Sequence, residues 1–224
     1  MTDASPMKPA LRQRLGYHPI LLGVAVLLTS AALIYVNLAT KDKIALRMEE
    51  DLQASLAQVV PPALYDNQIL KDTVTIQDKD VNGKPASTIF YRARKHGKIV
   101  ALAFPEVAYG YSGEIDLIMG VDTSGTLLGV RVVAHAETPG LGDKIEAGKS
   151  NWIFGFKGRS LTNPSKDKWL VKKDGGVFDS FTGATITPRG VVAGIRHGLE
   201  VFAAHRKELL LDSANVGGRN TDGK

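Results

Sequence analysis

An α+β fold carried on a single transmembrane helix follows from three features of the sequence. One apolar run near the N-terminus is long enough to cross a bilayer, a series of short β-patterned runs follows it, and an amphipathic helical pattern comes near the end. With 224 residues and 44% hydrophobic content, the chain has material for one globular domain beyond the anchor. It contains no cysteine, which excludes disulfides, cysteine-ligated iron–sulfur clusters and thioether-attached haem. The formal net charge of +5 is modest, and no arginine-rich arm or basic–aromatic interleaving points to nucleic acid.

The elements follow in chain order. Residues 1–19 form a leader with Lys8, Arg12 and Arg14, and 20–39 carry no charge. A cleaved signal peptide has an apolar region of roughly 7–15 residues and a small-x-small cleavage site. Here the run is longer and its exit, Val36-Asn37-Leu38-Ala39-Thr40, is a poor cleavage site, so the pattern predicts an uncleaved signal anchor. Lys41, Lys43 and Arg47 offset the leader's charge. A short basic leader nevertheless tends to stay inside while a long C-terminal part translocates regardless of charge, which predicts a cytoplasmic N-terminus and an exported domain. Over 40–62, Ile44, Met48, Leu52, Leu56 and Val59 recur at helical steps and stop at Pro61-Pro62, predicting a juxtamembrane amphipathic helix that acts as a stalk packed on the domain.

The domain itself is expected over 63–211. Strands are predicted at 73–77, 87–94 and 99–104, broken by Asn82-Gly83 and His96-Gly97. Two more, at 114–121 and 127–136, flank the turn Asp122-Thr123-Ser124-Gly125. The sheet is expected to be mixed or antiparallel, with flanking helices. Thr187-Pro188 reads as a helix start, with a hydroxyl N-cap and proline at the first helical position. Val191, Val192, Ile195, Leu199 and Phe202 supply its core-facing stripe. From 212 onward the chain is polar and glycine-rich, the composition of a disordered tail.

Two runs carry chemistry. In DSFTGATITP, 179–188, Gly183 and Ala184 leave the backbone uncluttered, so that Thr185 can present its hydroxyl on an accessible turn. A phosphate there would lie at the positive end of the following helix. The plain alternative is a strand-to-helix turn with a good cap. In HAETPGLGDKIE, 135–146, Pro139, Gly140 and Gly142 let the chain turn tightly and approach a flat ligand. Leu141 is suited to cover one face of an aromatic ring, and N–H groups near 140–142 to bond its heteroatoms. The alternative is an ordinary loop before a helix starting near Asp143. His135 lacks a metal-site spacing and reads as a polar residue at a strand end. The loop Tyr109-Gly110-Tyr111-Ser112-Gly113 reads equally as a ligand wall or as a turn.

Four landmarks, GYSGEI, HAETPGLGDKIE, WLVKKDGG and FDSFTGATITP, occur in an order and at intervals that resemble the G subunits of Rnf (Rsx) ion-translocating electron-transport complexes, from the anchor to about residue 202. The C subunits of sodium-translocating NADH:quinone oxidoreductases share the flavin motif. They typically have serine at the position of Thr182 and continue Leu-Thr-Ser where this chain has Ile186-Thr187-Pro188. The Rnf resemblance implies an FMN-binding domain with FMN joined through its phosphate to Thr185, and Asp179, Thr182, Gly183 and Ala184 as the flavinylation motif. It implies a loop of Thr138, Pro139, Gly140, Leu141 and Gly142 against the isoalloxazine, with Glu137 and Tyr111 completing the cofactor-binding set. No base accompanies Thr185 in the motif, so a separate ApbE-type flavin transferase is implied, using FAD and a divalent metal. The implied setting is a bacterial inner membrane, with the flavin domain on the periplasmic side. The chain would be one relay in a translocase whose subunits pass electrons between ferredoxin and NAD, with no catalysis of its own. It has no dinucleotide fingerprint for hydride transfer. The alternatives are a C-type quinone-oxidoreductase subunit, a membrane-tethered flavin- or ligand-sensing module, and an assembly subunit with an unused motif.

Overall fold

The computed structural model describes residues 17–211. The basic residues of the leader and the tail from 212 lie outside the described residues. The chain divides into two compact units, Met1–Asp51 and Leu52–Lys224.

In the first unit, helix α1 (Tyr17–Val59) begins. Its segment His18–Lys41 is long and apolar enough to cross a membrane, and its large side chains, such as Leu27 and Leu33, are exposed. At 1.5 Å per residue these 24 residues extend about 36 Å, somewhat more than a hydrocarbon core. The predicted span and the predicted amphipathic segment belong to one helix element. The predicted stripe divides along it: Ile44 and Met48 are exposed, whereas Leu56 and Val59 are fully buried.

The second unit is built on a five-stranded sheet, β1 (Thr73–Lys79), β2 (Pro85–Lys95), β3 (Lys98–Tyr109), β4 (Glu114–Asp122) and β5 (Leu127–His135). Neighbours follow chain order and every pairing is antiparallel, so the sheet is a simple meander. His96 and Gly97 both have positive φ (51° and 77°) between the paired Lys95 and Lys98, the conformation that a two-residue hairpin requires. Strand β3 continues five residues past its expected end, through Pro105. The β2–β3 ladder stops at Ala103, so no partner on that side asks Pro105 for an N–H.

Alternation along the strands loads both faces. One face buries Phe90, Leu102, Phe104, Met119, Val121 and Val130 beneath helix α2 (Ile186–Leu210). That helix contributes Val191, Val192, Ile195, Leu199 and Phe202, the expected stripe. It approaches closely because Gly190, Gly194 and Gly198 recur every four residues on its sheet side. A Cβ at Gly190 would stand 1.9 Å from the Tyr109 carbonyl oxygen, and one at Gly194 2.7 Å from Ala108 Cβ.

The opposite face is shallow, made of Ala93, Ala101, Ala103 and Ile118, and it packs with Leu56 and Val59 from the end of α1 and with Val60 just after it. A Cβ at Gly120 would lie 2.4 Å from the Val59 carbonyl oxygen, which shows how near that last turn comes to β4. A chain begun at residue 63 would therefore lose part of its core. Each of the three side chains removed is worth about 1.5–3 kcal/mol of burial, and together they rival the net stability of a typical domain, about 5–15 kcal/mol. Thermal melts of chains begun at 41 and at 63 should show a folded and a largely unfolded protein; equal melting temperatures would refute this packing role.

Candidate functional site

The two motif runs meet at one cavity. Its volume is about 330 Å³, at the small end of ligand-binding cavities, and its wall is formed by Tyr111, Glu137, Thr138, Leu141, Gly142, Gly183, Ala184, Thr185, Ile186 and Thr187. Three connections converge there: the β3–β4 turn, the segment after β5, and the approach to α2.

The segment after β5 turns on Gly140 (φ 79°), where Leu141 and Gly142 donate their N–H groups to the Thr138 carbonyl at 3.1 and 3.2 Å. Those two N–H groups, expected to face a ligand, are thus used within the loop. The helix expected from Asp143 is only the short 3₁₀ turn Gly142–Ile145. Leu141 keeps its side chain 44% exposed at the cavity, beside Gly183. His135 sits at the strand end as expected: its Nδ1 accepts the Glu137 N–H, which leaves Nε2 to donate to Glu146 Oε1 at 2.9 Å.

The approach to α2 is a tight turn in which Ala184 N–H donates to the Phe181 carbonyl and Gly183 takes φ 82°. It rests on an aromatic cluster. Phe178 stacks on Phe156 with ring centroids 4.7 Å apart, and Trp152 packs edge-on against Phe181 while donating its indole N–H to the Asp179 carbonyl. The helix begins two residues earlier than expected. Thr185, not Thr187, is its N-cap residue, and its side chain makes no capping hydrogen bond. Thr187 lies in the first turn, 1% exposed, and donates its hydroxyl across 50 residues of chain to Glu137 Oε2 at 2.6 Å. Pro188 remains harmless there, because the first N–H groups of a helix have no intrahelical acceptor.

Of the residues singled out in the sequence, Tyr111, Glu137, Thr138, Leu141, Gly142, Gly183, Ala184 and Thr185 share this wall, and Pro139, Gly140, Asp179 and Thr182 stand outside it. Asp179 is exposed and accepts a hydrogen bond from Lys172 Nζ at 2.6 Å. The β3–β4 turn brings Tyr111, 73% exposed, to the cavity. Ile186 and Thr187 line the cavity as well; nothing in the local pattern separates Thr187 from a cap.

The arrangement suits a phosphorylated, partly apolar ligand. The uncapped Thr185 hydroxyl and the free N–H groups of the first turn of α2 stand at the positive end of a 25-residue helix. Leu141, Tyr111 and Ile186 offer apolar surface for a ring. The described residues contain no group of three or more His, Cys, Asp and Glu able to hold a metal ion.

A family model described as an FMN-binding domain matches residues 110–200, which include the whole cavity wall. The chain is 50% identical over 191 residues to the G subunit of an ion-translocating oxidoreductase complex from Cereibacter sphaeroides, covering 85% of each chain. The chain belongs to this G-subunit family. Another G subunit, from Pseudomonas aeruginosa, is 42% identical over 94% of this chain and 99% of its own length. The one from Shewanella loihica is 44% identical over 87% and 92%. Among solved structures, the crystal structure of Shewanella oneidensis NqrC is similar at 24% identity with a TM-score of 0.48, covering 69% of this chain and 73% of that one. G-subunit membership is the family expected from the four landmarks, and the α+β class with an N-terminal apolar helix is the expected architecture. Where the sequence left mixed and antiparallel sheets open, the structure is wholly antiparallel.

Proposed function

We propose that this G-subunit family member is a membrane-anchored electron relay that carries FMN on Thr185. It works within an ion-translocating complex that passes electrons between ferredoxin and NAD, alongside the other subunits of that complex. The observation that carries this reading is Thr185, which makes no capping hydrogen bond at the start of α2 and lines a cavity walled by the second motif run. A capping threonine would spend its side-chain oxygen on a backbone N–H two or three residues on; this one is left for a bond to phosphorus.

Attachment is by an ApbE-type transferase. Thr185 Oγ1 forms a bond to the FMN phosphorus of FAD, the pyrophosphate bond breaks, AMP leaves, and the hydroxyl proton goes to a base of the transferase. The chain's part is to present the hydroxyl and to hold the ring between Leu141 and Tyr111. The flavin, when bound, supplies redox chemistry in one- or two-electron steps. Co-expression with a flavin transferase followed by intact-mass measurement and peptide mapping tests the reading. One FMN less water should be found on the peptide that contains Thr185, and an unmodified chain would refute it.

Ring placement has its own test in Leu141→Asp, made in the full chain in detergent. Attachment should persist, because Leu141 neighbours the 179–185 motif at Gly183 but is not one of the residues the transferase reads. The reduction potential should fall, because a carboxylate opposes the added negative charge of a reduced ring, and the absorption spectrum should change as water reaches it. An unchanged spectrum and potential in a folded variant would remove Leu141 from the ring site.

The flavin domain faces the periplasm, on the outer side of the bacterial inner membrane. Support comes from the short basic leader and the long segment after the apolar span. Protease added to spheroplasts should digest the domain and spare cytoplasmic controls. Protection until lysis would invert the topology.

A further inference from the structure

Glu137 lines the cavity yet is only 6% exposed. Its Oε1 accepts the Ser112 N–H at 2.9 Å and its Oε2 accepts the Thr187 hydroxyl at 2.6 Å. Both donors are neutral, and no cation pairs with this carboxylate among the described residues. Burying an unpaired carboxylate is unfavourable, so its surroundings must be specific. They are shaped by two missing side chains: a Cβ at Gly110 would lie 2.2 Å from Oε1, and a Cβ at Gly142 2.4 Å from Oε2. Glycine at both positions lets the β3–β4 turn and the segment after β5 close around the carboxylate. The first turn of α2 reaches the same group through Thr187, bringing its positive helix end towards the charge. One carboxylate therefore joins all three segments that form the cavity.

We propose that Glu137 is a positioning residue with two separable effects. Its hydrogen bond to Thr187 fixes the first turn of α2, and hence where Thr185 presents its hydroxyl. Its unpaired charge at the cavity wall makes a ring held there harder to reduce, because reduction adds electrons beside a fixed anion in a poorly solvated site. The second effect rests on the reading that FMN occupies this cavity; the first does not.

The test uses the full chain in detergent, produced with and without a flavin transferase, as wild type and as Glu137→Gln, Thr187→Val and Thr187→Ser. Glutamine keeps the shape of the side chain and removes its charge, so flavin-loaded E137Q should have a midpoint potential more positive than wild type. Thr187→Val keeps the charge and removes the clamp. It should lower the melting temperature of the flavin-free chain and slow flavin attachment severalfold, and T187S should restore both. An unchanged potential in flavin-loaded E137Q would overturn the electrostatic effect. Wild-type melting and attachment in T187V would overturn the clamp, and that comparison still decides should E137Q fail to fold. If wild type takes up no flavin, the FMN reading fails and the electrostatic effect with it, while melting of the flavin-free T187V chain still decides the clamp.

Discussion

Thr185→Val is expected to leave the chain with no covalently bound flavin. Valine keeps the β-branched shape of threonine and lacks only the hydroxyl. An N-cap threonine replaced by an apolar residue usually costs about 1 kcal/mol, through loss of the cap bond. Here that bond does not exist, so the fold should be spared and the variant should isolate the nucleophile. Neighbouring hydroxyls are poor substitutes: Thr187 is buried against Glu137, and Thr182 lies outside the cavity wall. Wild type co-expressed with a transferase should give a fluorescent band on a denaturing gel and a mass higher by one FMN less water. T185V should give neither. A surviving band that maps to Thr182 or Thr187 would falsify the assignment.

Gly190→Ala should destabilise the fold. Its new methyl group would sit 1.9 Å from the Tyr109 carbonyl oxygen, where the obstacle is backbone and cannot rotate away. Overpacking of this kind costs typically about 1–3 kcal/mol and occasionally more, against a gain of about 1 kcal/mol from replacing glycine inside a helix. A net loss of roughly 2 kcal/mol would lower the melting temperature by about 4–8 °C in a domain of this size. Gly155→Ala, with nothing within 4 Å of the added carbon, is the control and should melt like wild type. The loss in G190A should extend to the site, since Gly190 bears on the turn that carries Tyr111 and lies five residues beyond Thr185. Equal melting of G190A and G155A would mean that α2 does not pack on β3 as described.

The strands were legible because alternation and the Asn82-Gly83 and His96-Gly97 pairs act over a few residues. The helical stripe from Val191 to Phe202 was legible for the same reason. What escaped depends on residues far apart in the chain. Thr187-Pro188 carries every local sign of a helix start, and the helix begins earlier because Thr187 spends its hydroxyl on Glu137. The strand expected to end at residue 104 continues through Pro105, because the adjacent ladder has already stopped. The glycines at 190, 194 and 198 gave no signal until β3 was seen against them. At the site, the two runs each named residues that share the cavity, but neither indicated that a carboxylate from one would hold a hydroxyl from the other. Asp179 shows the converse, a motif residue on the outer surface, paired with Lys172 and turned to solvent.

The meander order of the sheet also bears on when a chain becomes competent to mature. Each strand pairs with the one made just before it, so hairpins can close one after another as the polypeptide emerges, with little loop entropy to overcome. The cavity has no such head start. Its last wall, 183–187, is synthesised well after β5 and takes its place only when α2 docks on the finished sheet. A polypeptide that is cut short, or still emerging, has a sheet but no acceptor turn. Under the proposed attachment at Thr185, flavin loading would report on completeness, since only a chain translated and folded through α2 presents that hydroxyl on the cavity wall.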